Sequence, residues 1–269
     1  NKVFFDQLTL NGSYRYSDYS TGVQTDTYGV GLDWAPIEDI KLRGSYQRAV
    51  RAANIIELFQ AQGLALYDND NDPCGPTMTY TVTECQRTGL DPLLYGNALL
   101  DSPAGQYSYL QGGNAGLDPE TSDSYTFGLV FTPRFLEGFS VTVDYFNIKV
   151  DDVIDVIPPT ITLTQCLETG DPLFCNLITR DSLGTLYLLP QAQIVGTNIN
   201  LGTWETTGYD LAMKYRVDIG DGGSLDFDLI GTYLAEFIQE PIPGMDSYDC
   251  AGLYGSTCGT PLPEWRHKL

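Results

Sequence analysis

The residues of this chain with the most direct covalent chemistry are its six cysteines, which fall in three close pairs: Cys74/Cys85, Cys166/Cys175 and Cys250/Cys258. Many pairings are open to six cysteines, and pairing within each short interval is the simplest, each bridge then stapling one loop. Zinc is the rival use of thiolates, but the chain has no Cys-x-x-Cys and its single histidine is His267. Disulfides place the chain in an oxidising compartment or at a cell surface. With His267 as the one imidazole base, a Ser-His-Asp or Cys-His nucleophile has little to work with. Asp226 and Asp228, at i and i+2, share a strand face and could exchange a proton with a substrate; a solvated pair of acids is the simpler reading. The run Asp68-Asn-Asp-Asn-Asp72 sets oxygen ligands at alternate positions, as calcium loops do. Pro73 stands where such a loop needs Gly, and Thr79 where a bidentate Glu closes it, so the run reads as a solvated acidic loop. No P-loop occurs. The chain is expected to be no enzyme and to carry no metal and no cofactor.

Composition narrows the class of protein that positions these residues. Lys plus Arg number 14 against 35 Asp plus Glu, a net charge of −21, which disfavours nucleic acid as a partner because phosphate binding needs clustered cations. Charged residues are only 18%, aromatics 12% with 18 Tyr, and Gly reaches 28, a β-rich composition. Mean hydropathy is −0.14. No apolar run approaches the roughly 20 residues that a membrane helix needs, so any membrane passage must be by strands. Asn1-Lys2-Val3-Phe4-Phe5 has neither the basic nor the long apolar region of a secretory signal, which leads us to expect a processed or excised chain.

The elements themselves are read from alternation. From Phe5, Leu8, Leu10, Tyr14 and Tyr16 share one face and Gln7, Thr9, Asn11, Ser13 and Arg15 the other. Further strands repeat the pattern: Tyr28 to Trp34, Asp39 to about Val50, Thr121 to Thr132, Phe139 toward Ile157, about Ile194 to Asp218, one from Leu225, and one beginning near Glu264. A short helix is expected around Thr164 to Glu168. Short turns after Ala35, Thr132 and Asp218 alternate with longer connections after Tyr16, Val50, Ile157 and Glu240. A sandwich with one solvated face would alternate too. Here the apolar faces carry almost no charge, while the opposite faces carry Arg15, Lys41, Arg43, Asp144, Lys214, Arg216, Asp226 and Asp228, the inside-out pattern of a membrane barrel. Long loops of such barrels face outside, which puts all six cysteines on the extracellular side.

One stretch carries a specific resemblance. The strand ending Arg51-Ala-Ala-Asn-Ile-Ile-Glu-Leu-Phe59, the opening Leu117-Asp-Pro-Glu-Thr-Ser-Asp-Ser-Tyr125, the segment Asn200 to Leu211 and the terminal Pro263-Glu-Trp-Arg-His-Lys-Leu269 resemble the barrel of TonB-dependent outer-membrane receptors. One departure is Ala53, where that family usually has Pro. The resemblance implies a 22-stranded barrel closed by an N-terminal plug, importing scarce ligands with energy delivered by TonB. It makes this chain the middle part of the β-barrel domain of a receptor: an all-β, antiparallel, up-and-down transmembrane β-barrel wall of about eight strands, residues 1–269 forming one partial barrel domain without the plug or TonB box. Long extracellular loops are expected at about 51–120, 158–194 and 241–262. A small closed barrel or an adhesin without cargo is the alternative. The implied setting is the cell outer membrane of a Gram-negative bacterium. The implied partners are outer-membrane lipid, the TonB complex through the missing N-terminal part, and a small nutrient ligand.

The ligand class is read from the loops. Nine acids between Arg51 and Glu120 face two arginines, which would repel an anionic ferric siderophore. Phe59, Tyr67, Tyr80, Tyr95, Tyr107, Tyr109, Tyr187, Tyr248 and Tyr254 offer flat rings that stack on sugars. A neutral carbohydrate is therefore expected ahead of a siderophore.

Overall fold

A computed structural model describes residues 6–240, 242, 246–255 and 258–269. In chain order its strands are β1 (Gln7–Asp18), β2 (Gln24–Ile37), β3 (Ile40–Arg51), β4 (Gly63–Asp68), β5 (Gln106–Gly112), β6 (Glu120–Phe131), β7 (Phe139–Asp155), β8 (Ile178–Thr179), β9 (Gln193–Thr197), β10 (Ile199–Asp218), β11 (Ser224–Glu240), β12 (Tyr248–Asp249) and β13 (Trp265–Lys268). Its helices are α1 (Ile55–Phe59), α2 (Val82–Gln86), α3 (Pro159–Thr169) and α4 (Pro172–Cys175). They fall into two compact units, residues 1–52, 118–153 and 201–269 in the first, and 53–117 and 154–200 in the second.

The first unit is one sheet in the order β1-β2-β3-β6-β7-β10-β11-β12, with β13 also paired to β11. Apart from β6 following β3, β10 following β7 and β13 pairing with β11, strands adjacent in space are adjacent in sequence, and every ladder described in it is antiparallel. The sheet is open: among the described residues β1 pairs with β2 and not with β13. The short connections lie at 38–39, 132–138 and 219–223 as the sequence implies. The connection at 19–23 is no longer than the turn at 132–138, so strict alternation of loop length does not hold at β1 and β2.

Alternation sorts the two faces of this sheet. On one, Leu10 is 74% exposed and Phe127 63%, with Leu8, Val30, Leu32, Leu42, Leu129 and Leu225 also open to the surroundings. Along these strands that face stays largely exposed, and a lipid environment relieves the cost of leaving it wet. Across it runs a tyrosine row: Tyr14 opposite Tyr28, Tyr28 and Tyr46 with ring centroids 6.2 Å apart, Tyr46 and Tyr125 5.0 Å, Tyr145 and Tyr209 5.4 Å, and Tyr209 opposite Tyr233. Such a belt marks a membrane interface in strand-built membrane walls. On the other face, Arg43 of β3 and Asp144 of β7 reach each other across the intervening β6, Arg43 Nε donating to Asp144 at 2.7 Å. Gly128 is the residue of β6 between them, and a Cβ there would stand 1.9 Å from Asp144 Oδ1; glycine is what allows the pair to close.

The second unit holds a water-excluding core, with Leu58, Leu90, Leu100, Tyr107, Leu167, Phe174, Leu186 and Ile194 buried. Its four-stranded sheet runs β4-β5-β9-β8. β5 and β9 pair in parallel, a departure from an all-antiparallel chain, and the strand expected from Ile194 to Asp218 is two strands, β9 in this sheet and β10 in the larger one. The helix expected near Thr164 is α3, longer than alternation suggests, with Pro159 at its first turn and Gly170 (φ 70°) ending it in the left-handed region.

Candidate functional site

Three disulfides close as the cysteine spacing suggests, Cys74–Cys85, Cys166–Cys175 and Cys250–Cys258. The first two staple the second unit. Around them, local capping sets the backbone: Asn54 and Thr81 each form a capping box with the glutamate three residues on, Glu57 and Glu84, starting α1 and α2. The amide and hydroxyl of Thr81 donate to Glu84 and hold its carboxyl below the usual carboxylate range.

Two buried acids bind parts of the unit to one another: Asp72, the end of the acidic run, and Asp181, which does not stand out in the sequence. Asp72 and Arg180 are 0% and 1% exposed at their side chains and meet at 2.6 Å. Arg180 also donates to Thr88 Oγ1 and to the Gly184 carbonyl, and Asp72 accepts from the Cys74 amide, so both charges are hydrogen-bonded on every side. Asp181 accepts from the Thr185 hydroxyl and from the amides of Thr185, Leu183 and Leu189. Burial pushes its pKa up, and these donors together outweigh burial and leave it below the ordinary aspartate value. Of the acidic run at 68–72, Asp72 thus belongs to a buried ion pair and Asp68 accepts from Gln106. Among the described residues no group of three or more His, Cys, Asp and Glu is placed to hold a metal ion.

The aromatic residues expected to face a ligand take different places. Tyr107 is 1% exposed: it is core, its hydroxyl accepting from the Ser102 amide, and burial raises its pKa to about 12. Tyr67 and Tyr187 pack on it with ring centroids 5.8 and 5.9 Å away, and Tyr109 lies 6.3 Å from Tyr67. The Tyr67 hydroxyl is buried and has no hydrogen-bond partner among the described residues. Tyr95 donates to the Tyr80 carbonyl and Tyr80 to Glu168, binding the loop at 80–95 to α3. Phe59, Tyr248 and Tyr254 are exposed. Four of the nine rings are therefore gathered into one packing cluster, two brace a loop, and three remain open. Alternation and loop assignment cannot distinguish these roles, because burial of a loop tyrosine depends on the unit that the loop folds into.

On the polar face of the larger sheet, Asp226 and Asp228 each lie near a cation rather than near one another's proton: Arg216 Nη1 to Asp226 at 3.8 Å and Lys214 Nζ to Asp228 at 3.5 Å. That arrangement suits a charged, hydrated wall and not acid and base catalysis. No helix among the described residues is long and apolar enough to cross a membrane, which leaves crossing by strands untouched.

These features match a known architecture. Residues 1–266 match the family described as TonB dependent receptor-like, beta-barrel, and the chain belongs to that family. It is thereby part of an outer-membrane β-barrel of the Gram-negative type, and its family is one of receptors and transporters. Among solved structures it is similar to the siderophore receptor PirA from Acinetobacter baumannii, with 15% identity and a TM-score of 0.54 over 97% of this chain and 28% of that one. It is also similar to the ferric enterobactin receptor PfeA from Pseudomonas aeruginosa in complex with enterobactin, at 16% identity and a TM-score of 0.53, over 87% of this chain and 25% of that one. The RagAB peptide importer matches at 13% identity and a TM-score of 0.52, over 90% of this chain and 22% of that one. The chain thus spans about a quarter of the length of the solved proteins it matches. No curated protein sequence matches it significantly.

Proposed function

We propose that this chain is a wall segment, with its loop unit, of an importer that carries a scarce small nutrient across the outer membrane with energy from the TonB complex. The observation that carries this reading is the family match over residues 1–266, joined to a sheet whose apolar face is exposed and whose opposite face is lined by ion pairs. In this reading the connections at 51–120, 158–194 and 241–262 face the outside, and the tyrosine row lies at the outer interface.

The cargo in this proposal is uncharged, with carbohydrate as its leading class. The second unit contains eleven acids and two cations, Arg87 and Arg180. Both cations are spent internally, Arg87 on the carbonyls of Leu167 and Glu168 and Arg180 on Asp72. A highly anionic chelate approaching such a surface is repelled over about a Debye length, some 8 Å at physiological salt. Phe59, Tyr248 and Tyr254 are the open rings left for stacking. A siderophore cargo is the second reading, favoured by the similarity to PirA, a siderophore receptor, and PfeA, a ferric enterobactin receptor; under the same charge argument it is a neutral or cationic iron chelate. Binding to the full-length receptor decides between them. A neutral oligosaccharide or neutral iron chelate is expected to bind, and tight binding of a triply anionic ferric chelate with no response to either neutral probe would overturn the charge argument.

A further inference from the structure

Along β11 the side chains from Leu225 to Tyr233 keep strict alternation, which would carry Phe237 to the apolar face with Tyr233. It does not arrive there. The register against β10 slips between Thr207 and Gly208: Gly208 faces Leu234, but Thr207 faces Glu236, leaving Ala235 as the extra residue. This β-bulge turns Phe237 to the face of its new partner Thr206, which is the polar face of the sheet. Bulges of this kind commonly re-aim a side chain beside a site.

Phe237 there lines a cavity of about 280 Å³ with Phe146, Thr206, Thr232 and Arg266. Phe146 reaches it by lying over Gly208, where a Cβ would stand 2.6 Å from Phe146 Cζ; glycine at 208 makes room for the ring. Leu262 and Pro263, in the segment that leads into β13, also line the cavity. The Cys250 amide donates to the Phe237 carbonyl at 2.8 Å, Gly252 to the Leu262 carbonyl at 2.7 Å, and Leu234 to the Glu264 carbonyl at 2.7 Å, which seats Leu262 and Pro263 on the rim. The polar groups are few and leave room for a guest. Thr206 donates to the Glu236 carbonyl and Thr232 to Asp210, so each hydroxyl keeps lone pairs to offer. Arg266 stands opposite Thr232 on β13 and forms no ion pair among the described residues.

We infer that this cavity binds one six-membered ring carrying oxygen substituents, a pyranose or a phenol. Its volume is that of a single ring, not of a whole cargo, and its lining combines what such a ring needs: two phenyl faces for stacking, a guanidinium to donate to ring oxygens, and two hydroxyls to accept from ring hydroxyls. The inference deepens the uncharged-cargo reading and rests on it for the source of the ring.

The test uses the purified full-length receptor in detergent, without TonB, and two neutral probes, methyl glucopyranoside and methyl 4-hydroxybenzoate, with binding read by ligand-observed NMR and calorimetry. At least one probe is expected to bind, and which one binds identifies the source. Phe146→Ala and Phe237→Ala are expected to weaken it tenfold or more, and Arg266→Met about fivefold. Phe237→Leu, which keeps an apolar side chain in place and controls for folding, is expected to weaken binding while thermal unfolding of the barrel stays unchanged. Binding of neither probe, or binding unaltered in both alanine variants, overturns the inference. An uptake assay failing for lack of TonB coupling, or an anionic cargo proving correct, would leave the probe measurement as it stands, so the two readings fail separately.

Discussion

The two units of this chain solve the same problem, where to put apolar surface, in opposite ways. Of the 21 buried hydrophobic residues among those described, 16 lie in the loop unit; the unit that contains the larger sheet holds Ala35, Val153, Leu201, Ile242 and Cys250. The loop unit folds as a water-soluble domain does, with a core, capping boxes, a buried ion pair and two disulfides. The sheet is held by its ladders and by ion pairs on one face, and leaves its apolar side chains for lipid. Each unit should therefore answer to perturbations that hardly touch the other.

The largest effect is expected from the buried pair. Asp72→Asn leaves the Arg180 guanidinium buried and unpaired, which costs about 3 to 5 kcal/mol. Amide exchange in the full-length receptor should show that loss in β5, β9 and α3 and leave β2, β3 and β6 protected; equal loss in both would break the comparison. Next, removing the Cys74–Cys85 bridge, whose partners are 11 residues apart, should cost the loop unit about 3 kcal/mol in the chain-entropy model, read in the same way. The sheet has its own version of this experiment. Leu129→Arg, on the exposed apolar face, should cost about 2 to 4 kcal/mol when the receptor is refolded into bilayers, and Thr126→Arg, on the polar face, much less. Similar costs at both positions would contradict the assignment of faces.

How much of this contrast can be read from residue order differs between the units. In the sheet, period two is enforced by the pleat, so the faces of β1, β2, β3, β6 and β10 follow directly from positions such as Leu10, Val30, Leu42 and Phe127. Alternation fails at Ala235, because a bulge is a register event between two strands and leaves no mark within one of them. In the loop unit, cysteine spacing was enough for the bridges. The strands there were not legible: β4 and β5 carry no clean alternation, and the parallel partner of β5 lies some 80 residues away at β9. For the same reason Tyr107 reads as a ligand-facing ring in the sequence and is core in the fold, and the pairing of Asp72 with Arg180 joins residues 108 apart.

The smallest expected effect sharpens the contrast by pH. The depressed pKa of Asp181 means that its carboxylate stabilises the loop unit fully above the unfolded aspartate value, about 3.9, and that this contribution is lost as pH falls through the lower folded value. Acid titration of loop-unit exchange should show this loss, and Asp181→Asn should remove that part of the pH dependence while costing about 1 to 3 kcal/mol at neutral pH. An unchanged titration in the variant would assign the acid response to other carboxylates.

The claim that the sheet is a membrane wall is tested most directly along β6. Single cysteines introduced in turn from Ser124 to Val130 of the full-length receptor, leaving out Gly128, where a Cβ would collide with Asp144, and spin-labelled in the outer membrane, report contact with lipid by collision with oxygen and contact with water by collision with a soluble nickel chelate. The expected result alternates, with Tyr125, Phe127 and Leu129 facing lipid and Ser124, Thr126 and Val130 shielded from it. Water contact of equal strength at all six positions, or alternation of the opposite phase, would contradict the outer-membrane wall.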